Sequence, residues 1–237
     1  MILLISKKLL LFLVEGKNDI SEIQDLVSVV LSPTVRDKYY IEASQTHGDI
    51  TTKPGVNSHN VVSELERTIR KLKSNGKIPH GIKNSDFAGI IHVLDMDGAY
   101  IPRSHIHEDD VGQWIYSDQH ITGHNYQSVL GRNQAKKKVL EKLISLKEIA
   151  GIPYRLYYVS CNMDHLLFGE RNLKSEEKAE FAKQFAIICM TRPENILSLA
   201  ESEYFLYGDY ADSWLYIKEG LNSLQRLTNI GIALKQL

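Results

Sequence analysis

FAGIIHVLDMDGA (87–99) decides the fold. Residues 87–94 form a nearly unbroken apolar run, the pattern of a strand buried on both faces of a sheet. The run stops at Asp95, and Asp97 and Gly98 follow at once. Two carboxylates two positions apart at a strand end can both reach one ion in the turn.

The same pattern recurs on either side. LLLFLV (9–14) is a second apolar run, closed by Glu15-Gly16-Lys17. A helix is expected over 18–31, capped by Asn18 or Asp19, with Ile20, Ile23, Leu26, Val27 and Val30 at helical spacing. Residues 39–43 read as a strand running into the loop Thr46-His47-Gly48-Asp49. Val61, Leu65, Ile69 and Leu72 place a helix over 60–73, stopped by Asn75-Gly76. Residues 99–130 have no clear period and read as a long loop or insertion. A helix is expected over 134–149 and a strand over 154–160, with helices from 163 onward, broken near Pro193 and Gly208.

Strands alternating with helices imply an α/β fold with an open, mostly parallel sheet of about four strands. Residues 1–170 read as the α/β domain. Residues 171–237 read as a helical extension packed on it, with Leu221, Leu224 and Leu227 on an amphipathic face suited to a homodimer or partner contact.

Composition sets limits. The 237 residues are 43% hydrophobic and 24% charged, which excludes a disordered chain. The 28 Lys+Arg and 29 Asp+Glu give a net charge of -1, so nucleic-acid binding would need a local basic face. Cys161 and Cys189 lack metal-type spacing and fit reduced thiols of a cytoplasmic protein. The apolar stretch 1–14 is interrupted by Lys7 and Lys8, and reads as neither a membrane span nor a signal peptide.

Ligands of open α/β sheets sit beyond the carboxyl ends of the strands. Glu15, Asp95, Asp97 and Asp164 all fall there. Gathered carboxylates repel one another, and a divalent cation reverses that balance. Asp95 and Asp97 are the candidate Mg²⁺ (or Mn²⁺) ligands, with Glu15 as general base or second-metal ligand. Gly16 and Gly98 would let a phosphate approach the backbone. Lys17 would help to hold it or stabilise developing charge.

These residues carry a resemblance. VEGKND (14–19), THGD (46–49) and HVLDMDGA (92–99) resemble, in order, the three motifs of Toprim domains. SCNMDHLLF (160–168) is similar to the segment after the fourth strand in OLD-family and RloB-like Toprim nucleases. The resemblance spans 9–165. It implies Mg²⁺-dependent phosphodiester cleavage of DNA or RNA, Asp164 as a further metal ligand, Gly48 in the glycine-bearing turn, and a role in phage defence or mobile elements. It also implies an ATPase partner, which must be a separate chain because no G-x-x-x-x-G-K-[ST] motif is present.

Two other readings use the same residues. LDMDGAYI (94–101) also resembles the first motif of haloacid dehalogenase-type phosphatases, with Asp95 as nucleophile, Asp97 as general acid and YGDYADSW (207–214) as an acidic metal motif. A non-catalytic module that binds nucleic acid or a partner is the third.

Arg132 with Lys136-Lys137-Lys138, and Arg67, Arg70, Lys71 and Lys73, read as phosphate-neutralising clusters or solvated helix faces. His105, His107, His120 and His124 read as a His-rich polar loop rather than a zinc site. Tyr204, Phe205, Tyr207, Tyr210, Trp214 and Tyr216 read as packing before base stacking.

Overall fold

The computed structural model describes residues 7–110 and 112–237. Residues 1–6 of the apolar stretch 1–14 therefore lie outside the described residues. In chain order the elements are β1 (Lys8–Val14), α1 (Lys17–Val30), α2 (Pro33–Lys38), β2 (Tyr39–Gln45), α3 (Val61–Ser74), β3 (Phe87–Asp95), β4 (Ile106–Glu108), β5 (Ile115–Tyr116), β6 (Ile121–Gly123), α4 (Tyr126–Ile144), β7 (Glu148–Ile149), β8 (Ile152–Val159), α5 (Met163–Phe168), α6 (Ser175–Thr191), α7 (Pro193–Ala200), α8 (Tyr210–Ile217) and α9 (Ile230–Gln236).

The central sheet runs β2-β1-β3-β8-β7. Its first four strands are parallel, and β7 pairs antiparallel with β8 at the edge. Alternation along β1 divides the core. Leu9, Leu11 and Leu13 pack with side chains of α3, α4 and α8 on one face. Leu10, Phe12 and Val14 pack with α1, α6, α7 and α9 on the other. Because both faces are covered, β1 and β3 are apolar at nearly every position, which is why they read as runs rather than alternations. The helices of 171–237 thus complete the core of the sheet on both sides. Among the described residues no helix is long and apolar enough to cross a membrane.

Four expectations are corrected. The sheet has a fifth strand, β7, in a stretch that reads as the end of a helix. Helix α4 stops at Ile144, and Ala150 and Gly151 both take positive φ (53° and 73°), the two-residue turn that closes a hairpin. The same helix starts earlier than its apolar pattern shows, because the Asn125 side chain caps it by accepting from the Ser128 N–H at 3.0 Å. The 99–130 stretch is not all loop. Besides the start of α4 it holds a small sheet, β4-β6-β5, whose Ile106 and Ile121 pack with Ile101, Val129 and Leu224. Residues 221–227 are not an amphipathic α-helix. Only 222–224 form a 3-10 turn, and Leu224 and Leu227 are buried in two different clusters.

Candidate functional site

The carboxyl ends of β1, β2 and β3 converge on one group of charges, and the end of β8 braces it. Glu15 follows β1 and is 9% exposed. Its Oε1 accepts the backbone N–H of Asp95 at 3.0 Å, tying the ends of two neighbouring strands together. The turn after β2 hangs on the same end of β1. Gly48 N–H donates to the Glu15 carbonyl at 3.0 Å, and the Thr46 hydroxyl donates to the Val14 and Gly48 carbonyls at 3.2 and 2.9 Å. That turn delivers Asp49.

The centre of the group is Lys136, on α4, with no exposed surface. Its Nζ lies 2.8 Å from Asp97 Oδ2, 3.0 Å from Asp49 Oδ2 and 4.0 Å from Glu15 Oε1. Burial by itself would lower its pKa, but Asp97, Asp49 and Glu15 outweigh that and raise it. The lysine is therefore a fixed ammonium. Asp49 is its counterpart: burial would raise the carboxyl, but Lys136 and the donors Thr51 and Thr52 pull it down to about 2. Arg132 adds a second cation, 3.7 Å from Asp97 Oδ2, while donating to the Asp97 carbonyl at 3.0 Å. Its guanidinium is held over the Trp114 ring at 4.4 Å.

Backbone strain marks the same place. Asp97 and Cys161 both have positive φ, 49° and 58°. Such conformations cost about 1–3 kcal/mol each and persist only where the surroundings over-determine them. Asp97 N–H donates to the Cys161 carbonyl at 2.8 Å. The Ser223 carbonyl then accepts from both Gly98 and Cys161 at 3.0 Å. Residues near 223 thus brace the floor of the site.

Asp95 and Asp97 line a cleft of about 230 Å³ whose other walls include Trp114, Tyr116, Asn162, Arg171, Lys174 and Lys178. Asn172 closes one side: it exchanges two hydrogen bonds of 2.8 Å with the Tyr116 backbone, joining β5 to the segment before α6. Among the described residues no group donates to the Asp95 carboxylate. Burial raises its pKa well above the usual value, and Glu15, Asp19 and Asp97 add to that. Glu15 is raised likewise, by burial first and then by Asp49. Among the described residues, Glu15, Asp49 and Asp97 pair with Lys136 or Arg132, while Asp95 faces Arg171, Lys174 and Lys178 in the cleft.

The donor set suits a hard divalent cation. Mg²⁺ takes oxygen ligands, commonly one or two carboxylates with water and phosphate for the rest, and Asp95 and Asp97 supply two at the wall of one cleft. Among the described residues no three His, Cys, Asp or Glu side chains stand close enough to chelate one ion. Four protein carboxylates on a single metal do not describe this site.

The remaining candidates divide. Asp164, in the first turn of α5, pairs with Lys178 at 2.5 Å and does not line the cleft. Near it lie Asp19, which caps α1 by accepting the Gly16 N–H at 2.8 Å, and Glu22, which is 1% exposed with both oxygens unpartnered. Lys17 is exposed at the first position of α1 and, among the described residues, makes no ion pair. Gly16 is partly exposed, and an added Cβ would touch the Asp19 carboxylate at 3.1 Å. Gly48 is open, with nothing within 4 Å of an added Cβ. Gly98 is a correction: it is buried, and a Cβ there would meet Ile121 and Leu224 at 2.7 Å, so its bare backbone serves packing rather than phosphate approach.

Asp209 and Asp212 are exposed at the start of α8 and do not line the cleft. His107 and His120 stack on each other at 4.4 Å on the small sheet. Tyr210 and Trp214 are packing groups: Tyr210 donates to the Leu156 carbonyl at 2.7 Å, and Trp214 meets Tyr158 edge-on at 5.0 Å.

Sequence reasoning missed Lys136 and Asp49 as members of the site. Helical spacing was a signal for the first, since Lys136 stands three or four positions from Asn133, Val139 and Leu140, all buried. No family model, curated protein or solved structure matches this chain.

Proposed function

We propose that the cleft hydrolyses phosphodiester bonds of nucleic acid with a divalent cation, Mg²⁺ or Mn²⁺, held by Asp95 and Asp97. The observation that carries this reading is the pairing of opposites in one small cleft. An unpartnered carboxylate, Asp95, faces the same space as Arg171, Lys174 and Lys178. Acidic groups for a metal beside basic groups for a phosphate are what phosphoryl chemistry requires. The order of the VEGKND, THGD and DMDG motifs supports a Toprim-type nuclease of the OLD-like or RloB-like kind. On that resemblance, phage defence and a separate ATPase partner belong to the proposal.

A cation bound there would polarise the phosphate and lower the pKa of a bound water. The chain's residues do the rest. Arg171 and Lys174 hold the backbone phosphate, beside Lys178, which pairs with Asp164. Lys136 and Arg132 fix the Asp97 carboxylate and its strained backbone. Glu15 does not line the cleft, and its Oε1 is engaged by Asp95 N–H. We assign it a positioning role at the base of Asp95 in place of proton transfer. The phosphatase reading loses support because Asp209 and Asp212 lie away from the cleft wall.

The test is a cleavage panel of single-stranded DNA, duplex DNA and RNA, with a phosphomonoester beside them, in Mg²⁺, Mn²⁺ or EDTA. Cleavage of a polynucleotide that stops in EDTA supports the proposal. Turnover of the phosphomonoester alone would replace it with the phosphatase.

A further inference from the structure

We infer that this site takes one divalent cation per chain, because the ammonium of Lys136 permanently fills the place of a second. The inference rests on the metal-dependent reading above and specifies how that site is charged.

In two-metal hydrolases the ions stand about 3.5–4 Å apart and share a carboxylate between them. Asp97 is the residue placed to be shared, since it lines the cleft beside Asp95 and also meets Lys136. On its inner side, however, two carboxylates from two strand ends, Asp97 and Asp49, already hold a cation between them. Lys136 Nζ contacts Asp97 Oδ2 and Asp49 Oδ2 at 2.8 and 3.0 Å, with Glu15 Oε1 at 4.0 Å. Asp49, the farther wall of that nest, is saturated by Thr51, Thr52 and Lys136. The ammonium is tethered to α4 and wholly enclosed, so it neither exchanges with solvent nor makes way for a metal. The outer side differs: among the described residues no group donates to the Asp95 carboxylate, so a cation is free to bind there.

Lys136 therefore acts as a positioning residue. It delivers one positive charge to Asp97 without coordination chemistry, and it leaves the cleft with a single exchangeable ion.

The experiment counts Mn²⁺ bound per chain, by calorimetry and by the loss of the free-ion signal in electron paramagnetic resonance. It uses the full wild-type chain, Lys136→Met and the double variant Lys136→Met/Asp49→Asn. The wild type is expected to bind one ion. Lys136→Met is expected to bind two and to gain thermal stability with Mn²⁺ more steeply than the wild type, as the vacated nest fills. The double variant, with one carboxylate fewer, is expected to return to one. Two ions on the wild type overturn the inference and leave the metal-dependent reading intact. No ion on the wild type overturns that reading itself. A folded Lys136→Met chain that still binds one ion also overturns the inference. If Lys136→Met fails to fold even in Mn²⁺, the wild-type count decides alone.

Discussion

Glu15 Oε1 accepts the Asp95 N–H at 3.0 Å across 80 positions of sequence. A carboxylate here does a job that a neutral amide oxygen can also do. Glu15→Gln keeps the acceptor and removes a charge from a crowded group, so it is expected to be at least as stable as the wild type without metal. Glu15→Ala leaves the amide unpaired and is expected to cost about 1–3 kcal/mol. Chemical denaturation of the two variants checks both. Cleavage gives a second contrast: a general base contributes about 10²–10⁴-fold, and a loss of that size in Glu15→Gln would return Glu15 to proton transfer.

Glu22 predicts a pH dependence. Burial, with Asp19 and Asp164 nearby, pushes its carboxyl from 4.5 to about 8. Between those values the folded chain holds a proton that the unfolded chain has released. Stability therefore falls as pH rises from about 4.5 to about 8, by about 1.4 kcal/mol per unit at most. Glu22→Gln is expected to flatten that slope, read from melting temperatures across the range. Asp49 runs the other way. Its lowered pKa gives stability that is present above 3.8 and lost as pH falls through about 2.

Gly98 and Gly48 separate packing from backbone conformation. Both have positive φ, 64° and 96°. An added Cβ meets Ile121 and Leu224 at 2.7 Å in the first case and open space in the second. Gly98→Ala is expected to lose about 2–4 kcal/mol, overpacking added to strain. Gly48→Ala is expected to lose about 1 kcal/mol, from strain alone. Urea midpoints of the two variants test the difference.

Arg171 and Lys174 give a prediction about binding. If they neutralise phosphates, replacing both by alanine reduces the slope of log affinity against log salt by about 1.4 on a single strand. It weakens all sequences alike. Single-stranded oligonucleotides titrated at several salt concentrations in EDTA would show it. An unchanged slope would place the nucleic acid elsewhere.

β1, β3 and the acidic turns after them were legible because residues buried on both faces of a parallel sheet leave no alternation to misread. β7 was not, since two residues paired through a turn at Ala150 and Gly151 carry no periodicity. Nor was the small sheet, whose strands of two or three residues are held by contacts with α4 and Leu224. Glu15, Asp95 and Asp97 announced themselves as acids after apolar runs. Lys136 did not, because in Lys136-Lys137-Lys138 one buried lysine looks like its two neighbours. Only its place in the stripe of Asn133, Val139, Leu140 and Leu143 sets it apart. Asp164 was legible as an acid after a strand, but its pairing with Lys178 depends on how α6 packs, which spacing does not encode.

The most direct test of the central claim is polynucleotide cleavage by Asp95→Asn beside the wild type, each in Mn²⁺ and in EDTA. The account predicts that the wild type cuts only with metal and that Asp95→Asn, folded to the same extent by circular dichroism, loses at least about 100-fold. Equal cutting by Asp95→Asn would contradict it.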